Sequence, residues 1–365
     1  MASKARTIDL VLPGREQSYR VLIRAGLRFA LGRELASLGL PNRVFIVSDR
    51  RVAGLYGGQV TGALEEAGCR SAVLTVAPGE RAKTWPVAAR LAREFLALGA
   101  DRRTPLIALG GGVVGDLTGF VASIFMRGVP FIQVPTTLLA MVDAAIGGKT
   151  AVNLPEGKNL LGTFYQPRLV IADPDFLRTL PPKERLNGLA EILKHGFIRD
   201  PALLDDVAAG HRQLFRDQER LADIICRAGA IKARVVAADE REAGLRRILN
   251  FGHTLGHALE AASRFRLPHG QAVAWGMLAA LELSRRLTGL SDEAAAYGRD
   301  LIKSFGLARK FPAVSIEAVL SALPLDKKRE GQNLVFVLLE DVGKPVIYPD
   351  VSPGLAVECL RTVAA

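Results

Sequence analysis

Short apolar runs recurring between amphipathic stretches constrain this chain more than any other feature. Val44-Phe45-Ile46-Val47, Val73-Leu74-Thr75-Val76, Leu106-Ile107-Ala108-Leu109, Phe131-Ile132-Gln133-Val134 and Leu169-Val170-Ile171-Ala172 each read as a buried strand. Helical periodicity lies between several of them, as in Pro86 to Leu98, where Leu91, Phe95 and Leu98 share one side. Strand–helix alternation of this kind implies a parallel sheet with helices on its faces. Thr7 to Leu12 and Tyr19 to Ile23 read as a hairpin added at an edge. The pattern changes near Asp173-Pro174-Asp175. Long helical stretches follow: Pro182 to Ile198, Glu219 to Val236, Thr254 to Ala262, Gln271 to Leu287 and Ser291 to Ser304. Val335 to Leu339 reads as a last short strand. The expected fold is α/β plus α, with a parallel-sheet domain over residues 1–177 and a mostly helical domain over 178–365.

Composition narrows the class. At roughly 150 residues per domain, 365 residues suit two domains. A chain that is 49% hydrophobic and 23% charged is globular, not disordered. No apolar stretch approaches the ~18 residues of a membrane span, so no membrane partner is expected. The start has no apolar core of signal-peptide type. Cys69, Cys226 and Cys359 are odd in number and far apart, which points to a reducing, cytoplasmic setting without a disulfide framework. The net charge of +11 admits nucleic acid or an anionic small substrate as partner. Without a basic tract of five residues, and with only 6% aromatics for stacking, the small substrate is favoured and no nucleic acid is expected.

Gly110, Gly112 and Gly115 fit G-x-G-x-x-G directly after a strand and opening a helix. Such glycines let a backbone approach a pyrophosphate at a helix N-terminus, so the first domain reads as Rossmann-like and nucleotide-binding. A plain tight strand–helix turn is the competing reading. The acidic residue expected about 20 residues on is absent, since Val134-Pro135-Thr136-Thr137 stands there. Asp49, after the strand at 44–47, could grip a ribose instead. Ile146-Gly147-Gly148-Lys149-Thr150 ends like a phosphate-binding NTPase loop, but that pattern needs glycine at position 143, which is Asp143. Lys149, Lys158 and Asn159 could still hold a phosphate.

Three of only five histidines, His253, His257 and His269, fall within 17 residues. His253 and His257 are four apart and share a helical face, as do Glu191, Lys194 and His195. A carboxylate with two imidazoles and one open position is a catalytic zinc set. Spacing alone selects His253 and His257 as the imidazole pair and leaves the third ligand open. Arg246, Arg247, Asn250, Lys232 and Glu242 lie nearby in sequence, more polar residues than a helical core tolerates unless they are paired or used.

These segments resemble the 3-dehydroquinate synthase family. The resemblance rests on Gly110 to Asp116, Met126 to Val129, Pro135 to Asp143, Ile146 to Thr150, Gly157 to Leu160, Asn187 to Gly196 and Asn250 to His257, and spans Asp49 to Lys328. It implies a dehydroquinate synthase-like fold and an NAD- and zinc-dependent enzyme of the shikimate pathway, with cobalt as the alternative metal. The substrate would be a sugar phosphate, 3-deoxy-D-arabino-heptulosonate 7-phosphate, and the protein a homodimer. The implied zinc ligands are Glu191, His253 and His269, with His257 facing the substrate as a proton carrier. Asp143, Lys149, Lys158, Asn159, Lys194, Lys232, Arg246, Asn250 and Lys327 would serve the substrate. Lys328 competes for the place given to Lys327. Arg127 would reach a phosphate, from the partner subunit in the dimer. The NAD positions would be Asp49, Glu80, Lys83, Gly111, Gly112, Val113, Asp116, Thr136, Thr137, Phe176 and Thr179. Gln271 departs from the family's more common glutamate, at a position that is not a ligand. Related cyclases acting on sedoheptulose or glucose phosphates are disfavoured, because their substrates offer Arg246 no carboxylate. A metal-dependent alcohol or glycerol dehydrogenase would release NADH.

Overall fold

Each expected apolar run becomes a strand of one sheet. The structure is a computed structural model and describes residues 4–12, 18–210, 213–323 and 334–364. Contacts divide these into two compact units, residues 1–180 with 215–241, and residues 181–214 with 242–365.

The first unit holds β1 (Arg6–Leu10), β2 (Tyr19–Ile23), β3 (Arg43–Asp49), β4 (Arg70–Val76), β5 (Leu106–Gly110), β6 (Phe131–Pro135), β7 (Lys149–Leu154), β8 (Gly157–Phe164) and β9 (Leu169–Ala172). Seven of these form a sheet in the order β1-β2-β9-β6-β5-β3-β4. All its pairings are parallel except the edge hairpin, which sets Ile8 opposite Val21. Strands β5, β6 and β9 are buried along their whole length, which is why they are apolar at every position except Gln133 and not at alternate ones. Helices Trp85–Ala97 and Gly112–Ile124 cover one part of the core, where Phe95 stacks on Phe45 at 5.7 Å and meets Phe125 edge-on. Strands β7 and β8 pair as a separate antiparallel hairpin.

The helix Gln218–Ala238 follows the expected boundary in sequence but packs on the first unit. Its apolar face, Leu221, Ile224, Ile225, Ala228 and Ile231, is buried. At Gly229 the absence of a side chain lets Ile8 and Ile146 approach, since a Cβ there would lie 3.1 Å and 3.2 Å from their methyl groups.

The second unit is mostly helical: Pro182–Arg199, Pro201–Gly210, His253–Ala262, His269–Leu287, Asp292–Ser304, Ile316–Ala322 and Pro353–Ala364. Helix His269–Leu287 is buried on nearly every side through its Ala, Val, Leu and Gly positions. The expected strand near residue 335 is β10 (Leu334–Asp341), paired antiparallel with β11 (Lys344–Val351). Gly343, at φ +89°, makes the turn between them. Among the described residues no helix is long and apolar enough to cross a membrane.

Candidate active site and metal centre

Strand order locates a ligand crevice in the first unit. From β3 the chain builds outward to β4, then returns to place β5 on the other side of β3. The direction of winding therefore reverses between β3 and β5, and ligands of open α/β sheets bind outside the carboxyl ends at such a point. The glycine loop ends β5 and Asp49 ends β3, so the two sequence candidates sit on the adjacent strands of that switch. The loop accordingly follows β5, the third strand of the strand–helix alternation that starts at β3.

Gly111 caps helix Gly112–Ile124, and glycine keeps the helix start bare. A Cβ on Gly111 would lie 3.0 Å from the Thr137 methyl, one on Gly112 3.2 Å from Ala144, and one on Gly115 2.7 Å from Gln133. Val113 follows in the first turn. Thr136 donates its N–H to the Gly110 carbonyl (2.9 Å), and the Thr137 hydroxyl accepts from the Ala140 N–H (3.2 Å). One Asp49 oxygen accepts from the N–H groups of Arg51 and Val52 at 2.9 Å and 3.1 Å, which orients the carboxylate at the strand end. The crevice thus offers bare helix N–H groups and a fixed carboxylate, which fit a dinucleotide's pyrophosphate and ribose.

Beside it, Lys83 is buried and donates to both Asp116 and Asn159. Asp116, at the start of the glycine-loop helix, is pushed up by desolvation against the pull of the Lys83 ammonium. Asn153 links the remaining members: it donates to Glu80 (2.8 Å) and accepts from the Asn159 N–H (3.0 Å). Asn159 itself is left-handed at φ +58°. Residues assigned to cofactor (Glu80, Lys83, Asp116) and to substrate (Asn159) therefore form one network. Lys149 and Lys158 lie exposed on the same β7–β8 hairpin. Lys232 holds Asp143 by both its carboxylate (2.8 Å) and its carbonyl (2.6 Å).

Three first-unit candidates remain: Phe176 and Thr179, which follow the carboxyl end of β9, and Arg127, which precedes β6. Phe176 is buried edge-on against Tyr56 at 4.7 Å, and the Tyr56 hydroxyl meets that of Thr179 at 2.6 Å. Arg127, at φ +68°, lines a cleft of about 620 Å³ with Arg102, Arg103, Arg168 and Tyr165. Those residues precede β5, β6 and β9, so the cleft lies at the amino edge of the sheet, opposite the glycine loop.

The second unit gathers the metal-type ligands. Glu191, His253 and His269 present ligand atoms that all lie within 4.8 Å of one another. Glu191 is buried on helix Pro182–Arg199, and its Oε1 lies 3.4 Å from His253 Nε2 and 3.2 Å from His269 Nε2. His253 and His269 each open a helix. The two helices meet through glycine, since a Cβ on Gly256 would lie 3.2 Å from Val273 Cα; a Cβ on Gly270 would likewise lie 2.6 Å from Asn187 Cα, where the His269 helix meets the Glu191 helix. The imidazole that joins His253 at Glu191 is thus that of His269 and not that of His257. Spacing within one helix could not see a ligand supplied by the next. His257 instead stands edge-on to His253, ring centroids 5.2 Å apart.

Burial opposes ionisation of Glu191, yet buried Lys194, one helical turn on, together with His253 and His269 holds the carboxyl well below its ordinary range. Burial also opposes charge on His269, but Glu191 and Glu260 on either side outweigh it and raise it to about 10. Burial and neighbouring His253 push His257 down to about 4, so it is a neutral imidazole near pH 7. Each ligand imidazole has an acceptor at its other nitrogen: Phe251 O lies 3.2 Å from His253 Nδ1, and Glu260 Oε1 lies 3.4 Å from His269 Nδ1. Two oriented imidazoles and an ionised carboxylate suit a divalent metal.

Arg246 is buried at 2% exposure, and Asn250 donates to Glu242 (3.0 Å) beside a cleft lined by Arg247 and Thr254. Gln271 is the third residue of its helix, next to Gly270, whose N–H is held by the Asn187 side chain at 2.8 Å. Lys327 and Lys328 lie outside the described residues. Sequence reading missed Glu260, although its place seven residues after His253 and three after His257 was a usable signal. It also missed Asn153, which no motif marked.

Comparisons with known proteins agree along nearly the whole chain. Residues 73–187 match the 3-dehydroquinate synthase N-terminal family and residues 188–329 the C-terminal one. A 3-dehydroquinate synthase from Nitrosospira multiformis is 42% identical over 362 residues, covering 98% of each chain. A crystal structure of 2-deoxy-scyllo-inosose synthase complexed with carbaglucose-6-phosphate, NAD+ and Co2+ superposes with TM-score 0.88 at 27% identity, covering 98% of this chain and 99% of that one. A 2-epi-5-epi-valiolone synthase from Streptomyces hygroscopicus with NAD+ and Zn2+ bound gives TM-score 0.86 at 30% identity, covering 97% and 99%.

Proposed function

This chain belongs to the 3-dehydroquinate synthase family, and from that premise and the site geometry we propose that it converts 3-deoxy-D-arabino-heptulosonate 7-phosphate into 3-dehydroquinate and phosphate, as an NAD- and metal-dependent carbon–oxygen lyase. The observation that carries the reading is the Glu191–His253–His269 cluster, a donor set suited to zinc or cobalt. When bound, NAD takes up and returns a hydride and the metal polarises a substrate hydroxyl.

The side chains do the rest. The bare helix start at Gly111 and Gly112 would hold the cofactor's pyrophosphate, with Asp49, Thr136 and Thr137 assigned beside it. Lys194 keeps Glu191 ionised and able to act as a ligand. Buried Arg246 offers a rigid fork suited to the substrate carboxylate, with Lys232 assigned to the same group. Lys149, Asn159 and Lys327 are assigned to the phosphate. His257, held neutral near pH 7, is assigned to the substrate side as the proton carrier. Ring closure needs little beyond holding the chain in a closing pose. The same reading makes the protein a cytoplasmic homodimer in which Arg127 serves a phosphate bound by the partner. Support for this comes from its exposure at the sheet edge opposite the glycine loop.

The test is phosphate release from the heptulosonate phosphate with catalytic NAD+, with and without chelator, while NADH absorbance is followed. Release that needs both NAD+ and metal, without net NADH, is expected. Release only from glucose or sedoheptulose phosphates, or net NADH from simple polyols, overturns the assignment.

A further inference from the structure

We propose that Glu260 is the residue that orients His269 toward its metal, a positioning role that rests on the metal-centre reading above. Glu260 sits in the last turn of helix His253–Ala262, on the face that carries His253 and His257, with its side chain only 14% exposed. Its Oε1 lies 3.4 Å from His269 Nδ1, while His269 Nε2 lies 3.2 Å from Glu191 Oε1. The imidazole is thus gripped at both nitrogens by carboxylates from two different helices. A carboxylate that accepts the Nδ1 proton leaves the Nε2 lone pair for a metal, fixes the ring's rotation and makes the nitrogen a stronger donor.

The two imidazole ligands are inequivalent in this respect. Among the described residues, His253 Nδ1 meets the Phe251 carbonyl, two residues back in its own chain, and no carboxylate is placed at that nitrogen. His269 opens its helix after a connecting loop in which Arg264 and Phe265 are both left-handed, at φ +53° and +58°. Glu260 and His269 flank that loop, so their contact ties its two ends together. His269 is therefore the ligand whose direction depends on a side chain, and Glu260 is that side chain.

The experiment uses the full chain stripped of metal. Zinc affinity is measured by competition with a chromophoric chelator, and the electronic spectrum is recorded after cobalt loading, for wild type, Glu260→Ala, Glu260→Gln and Glu191→Gln. Glu260→Ala is expected to lose about 10- to 100-fold in zinc affinity and to shift the cobalt bands. Glu260→Gln, which keeps an acceptor oxygen, is expected to fall between Ala and wild type. Affinity and spectrum of Glu260→Ala equal to wild type overturn the proposal. Where circular dichroism shows that Glu260→Ala has not folded, Glu260→Gln decides: weaker binding with shifted bands supports the role, and equality with wild type overturns it. A wild-type chain that takes up no zinc refutes the metal centre itself, a result distinct from failure of the Glu260 role alone.

Discussion

Gly276→Ala is the sharpest test of how the second unit is packed. Gly276 sits inside helix His269–Leu287, where alanine would ordinarily gain about 1 kcal/mol in helix propensity. Here an added Cβ would stand 1.8 Å from the Gly252 carbonyl oxygen, 2.8 Å from its carbon and 2.9 Å from the Gly256 nitrogen. All three are backbone atoms of the neighbouring helix start, so no rotamer change relieves the clash. The shortfall from ordinary contact is roughly 1.5 Å, which must be met by separating the helices that carry His253 and His269. Overpacking of this kind costs about 3 kcal/mol or more, so a net loss of at least about 2 kcal/mol remains after the propensity gain. Gly62→Ala is the internal control: it lies in helix Gly58–Glu66 with nothing within 4 Å of its would-be Cβ. It should stabilise by up to about 1 kcal/mol. Denaturant unfolding of both variants, with zinc titration of Gly276→Ala, gives opposite signs if the reasoning holds. A Gly276→Ala chain as stable as wild type, with unchanged zinc affinity, refutes it.

Glu191→Gln should lose more than about 100-fold in zinc affinity, beyond the effect of outer-shell changes, and turnover with it. It should also lose about 3 kcal/mol of stability as buried Lys194 is left without its carboxylate, while far-ultraviolet dichroism still reports a folded chain. Chelator added to the metal-loaded protein should lower the melting temperature, because zinc at a hundred times its Kd contributes about 2.7 kcal/mol; a melting curve indifferent to chelator would count against the cluster as a metal site. Arg127→Ala should cut kcat/KM about 10- to 100-fold, the loss of a charged hydrogen bond, with NAD and zinc affinities unchanged in titration calorimetry. A fall in either affinity would remove Arg127 from the phosphate role.

The central strands were legible because burial on both faces leaves no polar position to obscure the run, as in β5 and β9. The β7–β8 hairpin was not. Its second strand is mostly exposed, so it shows no apolar alternation. Strand β11 carries Pro345 and Pro349 at a two-stranded edge, where the usual prohibition on proline is relaxed. Within the site, the glycine loop and Glu191 with Lys194 follow from local periodicity. The pairing of His253 with His269 does not, because it depends on glycine-mediated contact between two helices. Glu260 was missed for a different reason: it belongs to the histidine face, but a glutamate near a helix end ordinarily reads as a solvated charge.

The return of helix Gln218–Ala238 to the first unit has a consequence for how the protein is made. A ribosome that has released residues up to Leu180 has delivered every strand of the large sheet but not the helix that packs against β1. Ile8 and Ile146 then wait uncovered, and the chain must pass through Pro181–Leu214 of the other unit before their cover arrives. The nascent sheet is therefore sticky for the time taken to add about sixty residues, several seconds at typical synthesis rates. Folding of the first unit is thereby timed by synthesis of the second, and a fragment ending at the apparent domain boundary should aggregate where a fragment extended through Arg241 stays in solution.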